Sequence, residues 1–142
     1  MNVMVVEEDP VFGDRVRALL KQWGHRAEIC RRGTEALENF RCRTYDLVLL
    51  EVLLPDMDAD RLIQEIKAIR PEVWIVAMTD RNSYELEVRI REQGILYYMI
   101  KSREIGNLKS LLEHVSRKTS GSASGWLRRS GNDEFPHPRI EE

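Results

Sequence analysis

The chain is poor in the features by which a sequence usually declares a catalytic centre. It has two cysteines, Cys30 and Cys42, which lie at no metal-ligand spacing and are too few for a disulfide scaffold. Its three histidines stand apart: His25 follows Gly24 in a turn, His114 falls in the last helical segment, and His137 sits between prolines. No triad and no zinc-like ligand set can be assembled from them. No apolar stretch is long enough to span a bilayer. The opening run Val3-Met4-Val5-Val6 lacks a basic flank and ends at Glu7-Glu8-Asp9, so it reads as a strand and not a signal peptide. The formal net charge is −2, and no Lys/Arg run exceeds the pairs Arg31-Arg32 and Arg128-Arg129, which leaves no electrostatic footprint for nucleic acid. A glycine-rich phosphate loop is also missing after the first apolar run, which argues against a dinucleotide enzyme. The expectation is a soluble cytoplasmic protein with no membrane or nucleic-acid partner and no catalytic residues.

What is present is a regular alternation. Short runs rich in Val, Ile and Leu end at polar residues: Val3–Val6 at Glu7-Glu8, Leu47–Leu50 at Glu51, Val73–Met78 at Thr79 and Leu96–Ile100 at Lys101. Such runs read as buried parallel strands. Ala27–Cys30 supplies a second strand in chain order. Between them, apolar residues recur at helical spacing: Phe12, Val16, Leu19, Leu20 and Trp23, then Ala36, Leu37 and Phe40, then Leu62, Ile63, Ile66 and Ile69, and finally Ile105, Leu108, Leu111, Leu112 and Val115. The predicted fold is α/β, a doubly wound five-stranded parallel sheet with helices on both faces and right-handed crossovers. With 142 residues there is room for one domain with a sizeable core. In an open parallel sheet, ligands sit outside the carboxyl ends of the strands, so Glu7, Glu8, Glu51, Thr79 and Lys101 should converge on one rim. Carboxylates, a hydroxyl and a lysine together suit a hard divalent cation and a phosphoryl group.

These residues resemble the receiver domain of two-component response regulators, over roughly Met1 to Lys118. The resemblance implies a flavodoxin-like (βα)5 fold, with an acidic pair at Glu7 and Glu8, the phosphoacceptor position at Glu51, and switch and phosphoryl-contact positions at Thr79, Tyr98 and Lys101. It also implies partners of the family's kind, a histidine kinase, a phosphotransfer protein or an output protein, met through the fourth helix, fifth strand and fifth helix. Tyr45-Asp46-Leu47-Val48-Leu49-Leu50 before the acceptor position, Leu54-Pro55-Asp56-Met57-Asp58 after it, and Gly94 before the fifth strand support the same alignment.

The departures from the family pattern surround one pocket. Glutamate replaces aspartate at position 51 and at position 8, Asp80 replaces a small residue, Ser102 a proline and Ala59 a glycine. Glutamate is longer than aspartate by one C–C bond, about 1.5 Å, which displaces the nucleophile and imitates a phosphoryl group in part. Asp80 adds a negative group near the path of an anionic donor. The resulting expectation is an atypical receiver acting as a phosphorylation-independent interaction module. The alternative is a single-domain regulator that still accepts a phosphoryl group inefficiently, and a Mg²⁺-dependent phosphatase is disfavoured by the missing phosphate loop. For the cation, two readings stay open: weak Mg²⁺ binding by Glu7, Glu8 and Glu51, or a metal-free pocket neutralised mainly by Lys101. Lys101, the one cation expected from a strand end, should reach Glu51 in a partly buried pair, and the Lys101-Ser102 peptide should be trans.

Two segments need separate treatment. Tyr84, Leu86, Val88 and Ile90 alternate with charged residues in a strand-like way, but composition favours helix, and a helix is expected there with some apolar residues outward. From Thr119 to Glu142, Ser, Gly and Pro dominate, so a flexible tail is expected after a domain spanning residues 1–118, with Trp126, Leu127 and Phe135 a candidate docking element. Oligomeric state, cognate kinase and regulated process have no signature in the sequence.

Overall fold

The computed structural model describes residues 1–120, with side chains described through Lys118. Five strands, β1 (Asn2–Val6), β2 (Arg26–Cys30), β3 (Leu47–Glu51), β4 (Trp74–Thr79) and β5 (Tyr97–Ile100), form one parallel sheet in the order β2-β1-β3-β4-β5. The helices are α1 (Pro10–Gln22), α2 (Gly33–Cys42), α3 (Ala59–Ile69), α4 (Tyr84–Arg91), the short α5 (Lys101–Glu104) and α6 (Leu108–Ser120), with a 3-10 turn over Ile105–Asn107 between the last two. This is the doubly wound α/β fold read from the sequence. The last helical segment differs in detail, being broken into three pieces where Gly106 interrupts it.

Because helices lie on both faces of the sheet, the strands' inward side chains divide into two cores. Met4, Val48, Leu50, Ile75 and Ala77 pack with α2, α3 and Ile90 of α4. Val3, Val5, Leu49, Trp74 and Val76 pack with Val16 and Leu20 of α1 and with Leu108, Leu111 and Val115 of α6. Both β3 and β4 are buried at every residue, which is why they read as continuous apolar runs and not as alternating ones.

Local chemistry fixes where the helices start. The Asp9 carboxylate accepts a hydrogen bond from the Val11 N–H at 3.0 Å, and Pro10 opens α1, so the chain leaves the acidic rim already turned into a helix. At α2 the cap comes from elsewhere in the chain: Asp56, in the loop after β3, accepts from the Gly33 and Thr34 amides at 2.9 and 3.0 Å. Burial works to raise the Asp56 pKa, but the hydrogen bonds from Thr34 and Gly33 together outweigh it and hold the carboxyl below its usual range. The Met57 side chain packs against Gly33, where a Cβ would force it to move.

The ambiguous segment is helical, capped by the Ser83 hydroxyl accepting from the Leu86 N–H at 3.1 Å. Its inward residues are Ile90 and, unexpectedly, Glu87, while Tyr84 is 61% exposed. The helix closes at Gly94, whose φ of 78° suits glycine, and the Lys67 ammonium donates to the Gln93 and Gly94 carbonyls at 2.6 and 2.7 Å. Helix α6 continues through Ser120, two residues into the expected tail; residues 121–142, including Trp126, Leu127 and Phe135, lie outside the described residues.

Candidate functional site

At the carboxyl ends of β1, β3 and β5 the sheet brings together Glu7, Glu51 and Lys101. The Lys101 Nζ lies 2.5 Å from Glu7 Oε1 and 2.6 Å from Glu51 Oε1, and 4.5 Å above the centre of the Phe12 ring. The remaining oxygens are also engaged: Glu51 Oε2 accepts from the Leu53 N–H at 2.9 Å, and Glu7 Oε2 from the Asp9 N–H at 3.1 Å. One ammonium therefore serves two carboxylates and a ring face, and both carboxylates are also tied to the backbone.

The expectation of a partly exposed pair needs correcting. Lys101 is 8% exposed, Glu51 7% and Glu7 2%, because α1 places Phe12 over the ammonium and the strand ends close around the carboxylates. Burial raises the Glu7 pKa above its ordinary value, and the hydrogen bond from Lys101 offsets this only in part. For Lys101, burial alone would favour the neutral amine. The hydrogen bonds to Glu51 and Glu7 outweigh that effect and raise its pKa.

The other expected positions divide. Glu8 is exposed and stands apart from the buried trio. Thr79 is buried, and its Oγ1 accepts from the Arg81 N–H at 3.1 Å. Ala59 is buried at the first turn of α3. Asp80 does not simply face an incoming donor: its Oδ1 accepts from the Ser102 N–H at 2.8 Å. Two of the departures are thus partners, since a proline at position 102 would have no N–H to give. The bond ties the end of β4 to the start of α5 across the rim. The described peptide bonds are all trans, Lys101-Ser102 included.

Several contacts had no single-residue signal in the sequence. The Tyr98 hydroxyl, on β5, donates to Asn82 Oδ1 at 2.7 Å, and Asn82 Nδ2 donates to Glu87 Oε1 at 3.3 Å. Glu87, 4% exposed, also pairs with Arg91 one turn along α4. Burial raises the Glu87 pKa, with Arg91 and Asn82 opposing it, and burial likewise raises that of Tyr98. Glu87 was hidden because its neighbours form a strand-like alternation, and only the helical phase turns it inward. Arg31, just past β2, is a second cation at a strand end, contrary to the expectation that Lys101 stands alone there; its buried Nη1 shares the space over Gly13 with the Glu7 side chain.

The fit of this pocket to Mg²⁺ can be tested on its donors. The buried carboxylates each give one oxygen to Lys101 and the other to a main-chain amide, and Glu8 is exposed. Among the described residues, no three carboxylate, thiol or imidazole groups are arranged to hold a metal ion. That donor set does not fit the near-octahedral oxygen shell that Mg²⁺ demands.

With fold and rim in place, the class is defined: residues 3–113 match the response regulator receiver domain, and the chain belongs to that family. It is 34% identical over 119 residues to the transcriptional regulatory protein ZraR of Escherichia coli K12, covering 84% of this chain and 27% of that protein. It is 26% identical over 140 residues to the transcriptional regulatory protein QseB of Escherichia coli O157:H7, covering 99% of this chain and 64% of that one. The chain thus spans about a quarter of the length of ZraR. Among solved structures, the receiver domain protein from Methanospirillum hungatei superposes with a TM-score of 0.77 at 22% identity, covering 85% of this chain and 98% of that one. A two-component response regulator from Clostridium difficile gives 0.78 at 22% identity, covering 84% and 98%. Both share the fold.

Proposed function

We propose that this receiver domain is an atypical one, a phosphorylation-independent interaction module of two-component signalling. The observation that carries the reading is the Lys101 ammonium held between Glu7 and Glu51. Phosphoryl transfer requires a nucleophilic oxygen within about 3 to 3.5 Å of phosphorus and in line with the leaving group. Here both oxygens of Glu51 are already occupied, one by Lys101 and one by the Leu53 amide. The ion pair supplies internally the cationic partner that a charged acceptor needs, so the pocket has little call for Mg²⁺. The Asp80 to Ser102 bond adds a clasp across its mouth.

The module meets its partners, a kinase, phosphotransfer or output protein of the cytoplasm, through α4, β5 and α6. Its role is recognition and not turnover. Tyr98, linked through Asn82 to Glu87, holds β5 and α4 in one relation, which suits a surface presented constantly.

The test is incubation with acetyl phosphate and Mg²⁺ followed by intact-mass measurement. The expected result is no stable gain of a phosphoryl mass under conditions that load ordinary receivers. A near-stoichiometric gain that disappears in Glu51→Gln would sink the reading and establish the alternative, a regulator still phosphorylated at position 51. Mg²⁺ titration followed by amide chemical shifts should leave Glu7, Glu51 and Leu53 unmoved at millimolar metal; saturable shifts at those residues would contradict the metal-free pocket.

A further inference from the structure

The opposite end of the sheet carries a second feature that neither the rim nor the α4 face uses. Among the described residues, strand β2 is an edge strand, paired with β1 alone. Its residues Arg26 and Cys30 bond toward β1, the Arg26 N–H to the Met1 carbonyl and the Cys30 carbonyl to the Glu7 N–H, each at 2.9 Å. In a parallel ladder the alternate residues face the other way, so the main-chain groups of Ala27 and Ile29 turn to the open side. An edge of this kind is a template for one more strand.

Beside it lies a cleft of about 700 Å³, formed by α1, the starts of β1 and β2, and the loop before β3. Four cations line it: Arg17 and Lys21 from α1, Arg26 from β2 and Arg43 from the loop. Among the described residues of the lining, the one carboxylate is Glu28, which is already held by Arg43 and by the Tyr45 hydroxyl. Arg17 has an exposed partner in Asp14 at 3.2 Å, an arrangement that water screens. In a chain of net charge −2, this is a local excess of positive charge against a low-dielectric wall, which focuses attraction on anions.

We propose that this cleft and the free edge of β2 together form a docking groove for an extended acidic peptide segment of a partner protein, which adds a strand beside β2 and sets one face of Asp or Glu side chains against Arg17 and Lys21 of α1, the helix that covers the Ala27 and Ile29 face of β2. Two independent features select this occupant. The edge calls for a backbone, and the cations call for negative charge at strand spacing. A second copy of the chain is disfavoured, because a two-fold interface would set these cations against themselves. Nucleic acid needs a longer track of cations than four residues beside one strand. A small anion would use the charges and leave the edge idle.

The experiment uses the full chain and a fluorescein-labelled heptapeptide alternating Glu and Val, with a Lys/Val peptide as control, followed by fluorescence anisotropy and by amide chemical shifts. Saturable binding of the acidic peptide alone is expected, with Ala27 and Ile29 amides shifted and slowed in hydrogen exchange. Arg17→Glu with Lys21→Glu should weaken it tenfold or more, and both residues are exposed, so the fold should survive, as a thermal melt will verify. Ala27→Pro, which removes an outward N–H but no bond to β1, should weaken it while leaving the cations intact. The proposal is overturned if the charge-reversed variant binds as well as the parent, or if Ala27 and Ile29 stay unperturbed at saturation. It is also overturned if a single-stranded oligonucleotide of seven bases binds more tightly than the peptide, or if inorganic phosphate competes it off at equimolar concentration.

Discussion

The two ends of the sheet treat charge in opposite ways. At the carboxyl ends of the strands, Glu7, Glu51 and Lys101 are buried and satisfy one another, with Phe12 and two main-chain amides completing the shell. Beside the start of β2, four cations face an open cleft with one committed carboxylate among them. In the first arrangement the Lys101 ammonium and the two carboxylates hold one another out of water; in the second the charged side chains line an open cleft. The difference also predicts where mutation will be felt, since a buried charge that loses its partner must bear the desolvation cost alone, whereas an exposed one is reabsorbed by water.

The strongest break in the comparison is Lys101→Met. It leaves Glu7 and Glu51 buried without a cation, and breaking a buried pair in this way costs about 3 to 5 kcal/mol. Urea unfolding at neutral pH should show a loss of that size, and adding Glu7→Gln and Glu51→Gln to the variant should recover much of it. A loss under about 1 kcal/mol, typical of exposed pairs, would mean that water reaches the trio in solution.

A smaller effect is expected at the link between β5 and α4. Asn82→Ala removes the acceptor that the Tyr98 hydroxyl uses at 2.7 Å and a donor to Glu87. A hydrogen bond of this kind contributes about 0.5 to 1.5 kcal/mol net. Tyr98→Phe should add little further loss in the Asn82→Ala background, and a double-mutant cycle over the two positions would read the coupling. Additive losses would show that Tyr98 and Asn82 do not act together.

The rim should also set the pH dependence. Glu7 has a folded pKa raised above 4.5, so its contribution to stability is fully present below 4.5 and is lost as pH rises through the folded value. Lys101 has a folded pKa raised above 10.5; its contribution is fully present below 10.5 and is lost as pH rises through the higher value. Chemical unfolding across pH should therefore show a decline above pH 4.5 that Glu7→Gln flattens, and an alkaline decline that Lys101→Met lacks. An unchanged acid-side slope in Glu7→Gln would contradict the raised carboxyl.

Much of this was legible in the sequence, and the reason is geometric. A parallel sheet puts the residue after each strand on one rim, so Glu7, Glu51 and Lys101 could be placed together from apolar runs alone, whereas Glu8, expected with them, is exposed. The contacts that escaped depend on rotation and on loops. Phe12 covers Lys101 only because of the phase of α1, and Glu87 is buried only because of the phase of α4. Asp80 and Ser102 were each visible as departures, but their mutual bond required knowing that the two loops meet. The cleft drew no attention because Arg17, Lys21, Arg26 and Arg43 never form a run; helix, strand and loop gather them only in three dimensions.

The smallest effect is expected of charge reversal at the cleft. Reversing Lys21 and Arg26 to glutamate removes two positive charges from the cleft, yet both are exposed, and surface substitutions of this kind stay within about 0.5 kcal/mol of the parent. Their Coulomb interactions with neighbours run through water and fall off within about 8 Å at physiological salt. Thermal and urea unfolding of Lys21→Glu with Arg26→Glu should therefore match the parent, or show a slight gain at low salt where crowded like charges have been removed. A loss above about 1 kcal/mol would show that these cations hold the fold together, as Lys101 does, and the contrast between a closed end and an open one would fail. Near-invariance, beside a loss of several kcal/mol for Lys101→Met, would mean that charge at the rim serves the fold while charge at the cleft is free to serve a partner.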